Sequence, residues 1–236
     1  MDTDELQQYL TKTHREMLLE MAERLGIALP SNFSFPEIIC RPLFSTASLV
    51  INPDGTYKIY VCALKNKKES LTEQDIASAE IGIAHETGHI LHIEGNPAWH
   101  KKYDEERAVV RTFAPDICTP SFYRLEQLDD VTAEYLALQF IDERQGLEVF
   151  LKRHSTTGIV NLTGLYGGVA KAMRRIGSDR RMEVAGVLIK SDYDEVRKVP
   201  ELEQEIFSET ERYIAKHPKL FNPPYQLGFA EMRFNR

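Results

Sequence analysis

The sequence predicts an α+β fold, mainly helical, with one small and mostly antiparallel sheet packed on a long buried helix and a helical C-terminal half. Three observations predict it. Strand signals are confined to the residues before 65. Helical periodicity dominates the chain after that point. Between the two regions lies Ile83-Ala84-His85-Glu86-Thr87-Gly88-His89-Ile90-Leu91-His92, flanked by apolar residues on nearly every side, the pattern of a buried helix.

Each element has a local reason. Leu6, Leu10, Met17, Leu18, Met21 and Leu25 recur at near-helical spacing over residues 4–25, and Gly26 and Pro30 end that helix. Ile38-Ile39-Cys40, between Pro36 and Pro42, reads as a short strand. Ala47–Ile51 and Tyr57–Leu64 flank Asn52-Pro53-Asp54-Gly55, and a Pro-Asp-Gly turn between β-branched and aromatic runs signals a hairpin. Lys65 to Lys68 is a basic loop. Ser70-Leu71-Thr72-Glu73 fits a capping box with Ser70 at the N-cap. The buried helix is therefore expected from about residue 71 to Glu94, with Gly95 as its stop before Asn96-Pro97.

Residues 97–118 read as mixed, with a short helix over Glu105–Phe113. Thr119-Pro120 opens a second long helix, Pro being favoured at the first helical position, and Gly146 closes it just past Arg144. Helix-like segments follow at 147–153, 162–175, 179–190 and 201–215, then an irregular tail from Pro218. The expected organisation is an N-terminal subdomain, residues 1–96, with the sheet and the buried helix, and a helical C-terminal subdomain, residues 97–236.

Composition sets outer limits. A chain of 236 residues with 42% hydrophobic content suits a globular core. Its 29 Lys and Arg against 36 Asp and Glu give a net charge of −7, which argues against binding nucleic acid by bulk charge. Runs of about 18 apolar residues, the mark of a membrane span, are missing. Met1-Asp2-Thr3-Asp4-Glu5 is acidic and has no apolar core of a signal peptide. Cys40, Cys62 and Cys118 are odd in number and scattered, so they read as reduced thiols and imply a cytoplasmic setting.

Within the buried stretch, His85-Glu86-Thr87-Gly88-His89 is an H-E-x-x-H motif. On a helix the two histidines lie on one face and can offer two imidazole nitrogens to one metal ion. Glu86 follows the first histidine, where its carboxylate can take a proton from a metal-activated water. A catalytic zinc site uses three protein ligands and leaves one position open, so a third ligand must come from elsewhere. Asp129-Asp130-Val131-Thr132-Ala133-Glu134 on the second long helix supplies candidates. Asp130 and Glu134 are four apart on one face, and Ala133 and Ala137 beside them allow close approach of a partner helix. One carboxylate would bind the metal and the other would orient a ligand histidine. His92, seven residues from His85, reads as a satisfied core histidine.

These two blocks resemble those of the ImmA/IrrE-like zincin peptidases. His-Glu-Thr-Gly-His-Ile-Leu-His is similar to their H-E-L-G-H-x-L-x-H, and the second block to their E-x-x-A-[ND]-x-F-A-x-x-L-L helix. In the register that matches Ala133, Leu136, Ala137, Phe140 and Ile141, Asp130 stands where the family has its metal-binding Glu, and Glu134 takes the following Asn/Asp position. Shifting the register puts Glu134 at the ligand position but places Arg144 and Gln145 where apolar residues belong. The resemblance covers about residues 55–142. It implies a zincin fold, bound Zn²⁺ and hydrolysis of a peptide or protein substrate.

The mechanism expected is therefore Zn²⁺ held by His85, His89 and Asp130, Glu86 as general base, and Glu134 behind a ligand histidine or as the alternative third ligand. The substrate is expected to add as a strand along the hairpin edge. Tyr123, Tyr135, His154, Tyr166 and Arg181 are candidates for stabilising the oxyanion. Two other readings stand beside this one. The first is a regulatory interaction protein with a zincin fold and little turnover. The second is a zinc hydrolase of a non-peptide amide.

Overall fold

The structure is a computed structural model that describes residues 2–41, 47–62, 71–113, 119–155 and 165–221. Helix α1, Thr3–Leu25, is fixed at both ends by its own sequence. Asp2 and Glu5 form a reciprocal capping box, and Gly26 closes the helix at φ 64, a left-handed conformation that costs glycine little. Leu6, Leu10, Met17, Leu18 and Met21 form its fully buried stripe.

Three strands follow: β1 Glu37–Arg41, β2 Ala47–Ile51 and β3 Tyr57–Cys62. The Asn52–Gly55 turn makes β2 and β3 an antiparallel hairpin. In β3, Tyr57, Ile59 and Val61 alternate into the core. The sheet order is β1-β3-β2, and β1 runs parallel to β3. This corrects the expected sheet, which was mostly antiparallel: one pairing is antiparallel and one is parallel. The turn dictates only the local pairing. Strand β1 docks on the far side of β3, in contact with α1. Strand β3 is therefore central, and among the described residues β2 is the outer strand of the hairpin.

Helix α2, Glu73–Gly95, carries the motif. Its capping box is Thr72 with Asp75, two residues later than expected; Ser70 lies outside the described residues. Gly95 is not a left-handed stop but the last residue of the helix. A Cβ there would sit 2.5 Å from Ile189 Cγ2 and 3.1 Å from Ile27 Cδ1. Its glycine serves close packing, and Asn96 ends the helix by donating its N–H to His92 O.

Helix α3, Pro97–Phe113, starts at once and is longer than the expected helix over Glu105–Phe113. Asn96 Oδ1 accepts from Trp99 N at 3.1 Å, so the residues that stop α2 also start α3, with Pro97 where proline is tolerated. Helix α4, Pro120–Gln145, has Thr119 as N-cap and Gly146 at φ 81 beyond its end. All residues from Val131 to Ile141 are buried. Helix α4 is enclosed by α2 on one side and by α5 Leu147–Ser155, α6 Leu165–Arg175 and α7 Arg181–Lys190 elsewhere.

The chain ends in α8 Tyr193–Val196, α9 Pro200–Leu202, a π-helical turn Glu203–Phe207, α10 Ser208–Lys216 and α11 Pro218–Phe221. Arg197 forks onto Glu203, at 2.8 and 2.9 Å, at the start of that π turn. The described part of the second half is helical throughout, as expected. Buried residues from both expected halves belong to one hydrophobic cluster, and the halves meet along α2 and α4. None of the helices searched is long and apolar enough to cross a membrane.

Candidate metal centre

Helices α2 and α4 cross backbone to backbone. A Cβ on Gly88 would lie 2.5 Å from Ala133 O and 2.6 Å from Ala133 Cα. That contact brings the two motif blocks together. His85 and His89 present their Nε2 atoms 3.0 Å apart. Asp130 Oδ1 is 3.8 Å from His89 Nε2, and one donor atom from each of His85, His89 and Asp130 fits within 4.8 Å of the others. Zinc–nitrogen bonds of about 2.0–2.1 Å put tetrahedral donors roughly 3.3 Å apart, within the range these side chains span.

The other ring nitrogens are committed. Glu134 Oε2 lies 2.9 Å from His85 Nδ1. Asp129 Oδ2 lies 2.9 Å from His89 Nδ1, an oblique approach at hydrogen-bond distance. A neutral imidazole that places its N–H proton at Nδ1 has a lone pair at Nε2. Two lone pairs facing each other at 3.0 Å repel unless a proton or a cation lies between them. With Asp130 beside them, these nitrogens form a group that could hold a metal ion.

The charges of the metal-free protein agree. Burial opposes protonation of His89, but Asp129, helped by Glu86 and Asp130, outweighs it and raises the pKa to about 9. His85 is raised likewise, burial being overcome chiefly by its hydrogen bond to Glu134. Burial pushes Glu86 up against the pull of the histidines. Asp130 is also raised, by burial and by Asp129 and Glu134. Asp129 alone is held far below the carboxylate range, because His89 and His92 together overcome its burial. Raised histidines beside raised carboxyls make a cluster whose proton affinity a divalent cation would lower.

Glu86 is buried, and the Leu49 backbone beside its carboxylate works against the rise that burial causes. The catalytic-base candidate therefore touches β2, the outer strand of the hairpin. Strand β2, Glu86, His89 and Asp130 line one cavity of about 700 Å³, with α3 as its opposite wall.

All five residues expected at the site, His85, Glu86, His89, Asp130 and Glu134, are brought together. The oxyanion candidates fare differently. Tyr135 is fully buried and donates to Arg181 O at 3.1 Å. Arg181 pairs with Asp142 and caps carbonyls of Met173 and Ile176. Tyr123 packs on Tyr213 and Phe221. None of these three lines the metal cavity, and the side chains of His154 and Tyr166 lie outside the described residues. Trp99, His100, Tyr103 and Arg107 of α3 line it instead; the sequence marks Trp99 and His100 as residues able to overhang a cleft, and the expectation of a mixed segment hid Tyr103 and Arg107.

Sequence reasoning also missed Asp129. Adjacent helical residues point about 100° apart, so Asp130 on the inner face seemed to put Asp129 outside it. Both reach the site because the rings of His85 and His89 stand at 89° to each other and ask for carboxylates in different directions. Cys40 and Cys62 are half-buried, and burial pushes the Cys40 thiol up to about 11, that of an inert core thiol. Cys118 lies outside the described residues. No family model matches the chain, and no curated protein or solved structure matches it.

Proposed function

We propose that the chain is a zinc-dependent peptidase of the zincin type. The observation that carries this reading is the convergence of His85 Nε2 and His89 Nε2, each ring anchored at Nδ1 by a carboxylate, beside a buried glutamate and strand β2. Two imidazoles and one carboxylate with an open side suit catalytic zinc. When bound, the ion would polarise the substrate carbonyl and lower the pKa of a water toward neutrality.

The chain's own residues do the rest. His85, His89 and Asp130 hold the ion. Glu86, its proton affinity raised by burial, takes the proton of the attacking water and passes it to the leaving nitrogen. An extended peptide would lie beside strand β2, along the cavity. In an antiparallel pair, outward and inward groups alternate, and Leu49 presents its backbone to Glu86.

That same contact favours a second reading. A base engaged by Leu49 suits a latent or regulatory protein that keeps the metal and turns over little. Incubating the purified chain with mixed peptides, with and without a chelator, separates the two. Chelator-sensitive cleavage supports the peptidase. Tightly held metal without cleavage supports the regulatory protein, and cleavage of non-peptide amides alone would make the chain an amidohydrolase.

A further inference from the structure

We propose that Asp129 and His92 form a buried positioning pair that fixes the ring of His89, an inference that rests on the metal reading above. Asp129 uses both oxygens on histidines. Oδ2 is 2.9 Å from His89 Nδ1 and Oδ1 is 2.8 Å from His92 Nδ1. With 15% of its side chain exposed, this carboxylate needs donors for both oxygens, because an ionised group out of water is stable only when paired and hydrogen-bonded. His92 satisfies one oxygen by a hydrogen bond, and His89 Nδ1 lies at ion-pair distance from the other.

His92 is not a further metal ligand. It has no exposed surface, its Nδ1 is spent on Asp129, and its Nε2 is enclosed with no hydrogen-bond partner. What holds it is packing. Trp99 of α3 lies against the ring, with centroids 4.1 Å apart and planes 30° apart, and Tyr103 stacks on the far side of Trp99 at 5.1 Å. The chain of contact runs from α3 through Trp99 to His92, from there to Asp129, and from Asp129 to His89.

Each link has a purpose. With His92 donating to Oδ1, the carboxylate plane cannot turn, so Oδ2 stays on His89 Nδ1. His89 is then confined to the Nδ1–H tautomer, with its Nε2 lone pair aimed at His85 and Asp130. Without the donor from His92, Asp129 keeps one unsatisfied buried oxygen. It can then rotate, and the tautomer of His89 is no longer enforced. The two ligand histidines thus have separate carboxylate anchors, Glu134 for His85 and Asp129 for His89, and Asp129 has an anchor of its own.

The test uses the full chain in wild-type form and as His92→Phe, which keeps a ring on Trp99 but donates nothing. His92→Asn, which restores a donor near the place of Nδ1, is the conservative rescue. Asp129→Asn, isosteric with the native residue, is the second probe should His92→Phe fold poorly. Zinc affinity is read by competition with a chelator. The His89 tautomer is read by nitrogen–proton correlation spectra, and the metal-free melting temperature is read alongside. Zinc affinity is expected to fall about 10- to 100-fold in His92→Phe and Asp129→Asn, the scale on which outer carboxylates and their partners act, with loss of the pure Nδ1–H signature that the zinc-loaded wild type shows. His92→Asn should recover most of both. If His92→Phe and Asp129→Asn bind zinc as the wild type does, the proposal is overturned. It is equally overturned if His92→Asn loses as much affinity as His92→Phe, each in step with melting temperature, since the role is then only packing. A wild-type chain that binds no zinc overturns the metal reading itself, and the pair with it.

Discussion

Gly88 and Ala133 meet without side chains between them: a Cβ on Gly88 would stand 2.5 Å from the Ala133 carbonyl oxygen. The consequence reaches the metal site, because His89 follows Gly88 and Glu134 follows Ala133. The gap between α2 and α4 is set by this one crossing, and every donor–carboxylate distance at the site inherits it.

Gly88→Ala is therefore expected to push the helices apart. The atoms it would strike are backbone, which cannot rotate aside. Overpacking of this kind costs about 1–3 kcal/mol. Denaturant unfolding of the metal-free protein should show that loss, and zinc titration should show weaker binding. Trimming the partner with Ala133→Gly should not restore either, since the obstacles are the Ala133 O, Cα and C atoms. Full affinity and stability in Gly88→Ala would show that the crossing is looser than it is drawn here.

Glu86→Gln tests the chemistry apart from the scaffold. The amide keeps the size of the buried side chain and removes its capacity as a base. Zinc content and melting temperature should stay near wild type while peptide hydrolysis falls at least ~100-fold, the scale of general-base loss. Wild-type rates in the zinc-loaded variant would remove Glu86 from the mechanism.

His14 supplies a pH dependence with a definite sign. It is buried against the motif helix, with Nδ1 2.7 Å from Thr87 Oγ1. The Thr87 hydroxyl donates to Ile83 O at 2.6 Å, so it must accept from His14 Nδ1–H. The unprotonated His14 Nε2 is left enclosed without a partner, and burial lowers the pKa from 6.5 to about 4. The unfolded chain then binds a proton that the native chain refuses. This contribution is fully present above the unfolded value of 6.5 and is lost as pH falls through about 4. The linkage amounts to roughly 3 kcal/mol over that interval. His14→Asn keeps a donor for Thr87 and cannot titrate. Unfolding free energies measured from pH 7 down to 4 should fall less steeply in His14→Asn than in wild type. Parallel slopes would mean that His14 titrates normally.

What was legible in the sequence was local. The Asn52–Gly55 turn, the Thr119-Pro120 start and the turn at Gly146 each state their geometry within a few residues. The cap of α2 was read two residues early because Ser70–Glu73 and Thr72–Asp75 both fit a hydroxyl followed three residues later by an acid. The start of α3 was missed because Gly95-Asn96-Pro97 reads as a stop, although Pro97 also suits the first turn of a new helix. The parallel pairing of β1 with β3 has no local signal, since it depends on which side of β3 the strand docks. At the site, a period of four residues exposed His85 with His89 and Asp130 with Glu134. Asp129 and His92 needed the crossing angle of two helices, which no periodicity carries.

The division of labour between Asp130 and Glu134 is the sharpest test of the site. Both lie on the face of α4 that meets the histidines, and Asp is one methylene shorter than Glu. The close crossing at Gly88 and Ala133 offsets that shorter reach. Asp130 Oδ1 then stands 3.8 Å from His89 Nε2 with its side chain open to the cavity, while Glu134 is buried with Oε2 on His85 Nδ1. A carboxylate that already holds the far nitrogen of one ligand is poorly placed to bind on the near side as well. Asp130→Ala should therefore remove a direct bond and most of the zinc affinity. Glu134→Ala should weaken binding by about 10- to 100-fold, by releasing the tautomer of His85. Competition titrations with a chelator decide between them. If Asp130→Ala binds zinc like wild type while Glu134→Ala cannot, then Glu134 is the ligand and His85 must swing away from the hydrogen bond it makes here.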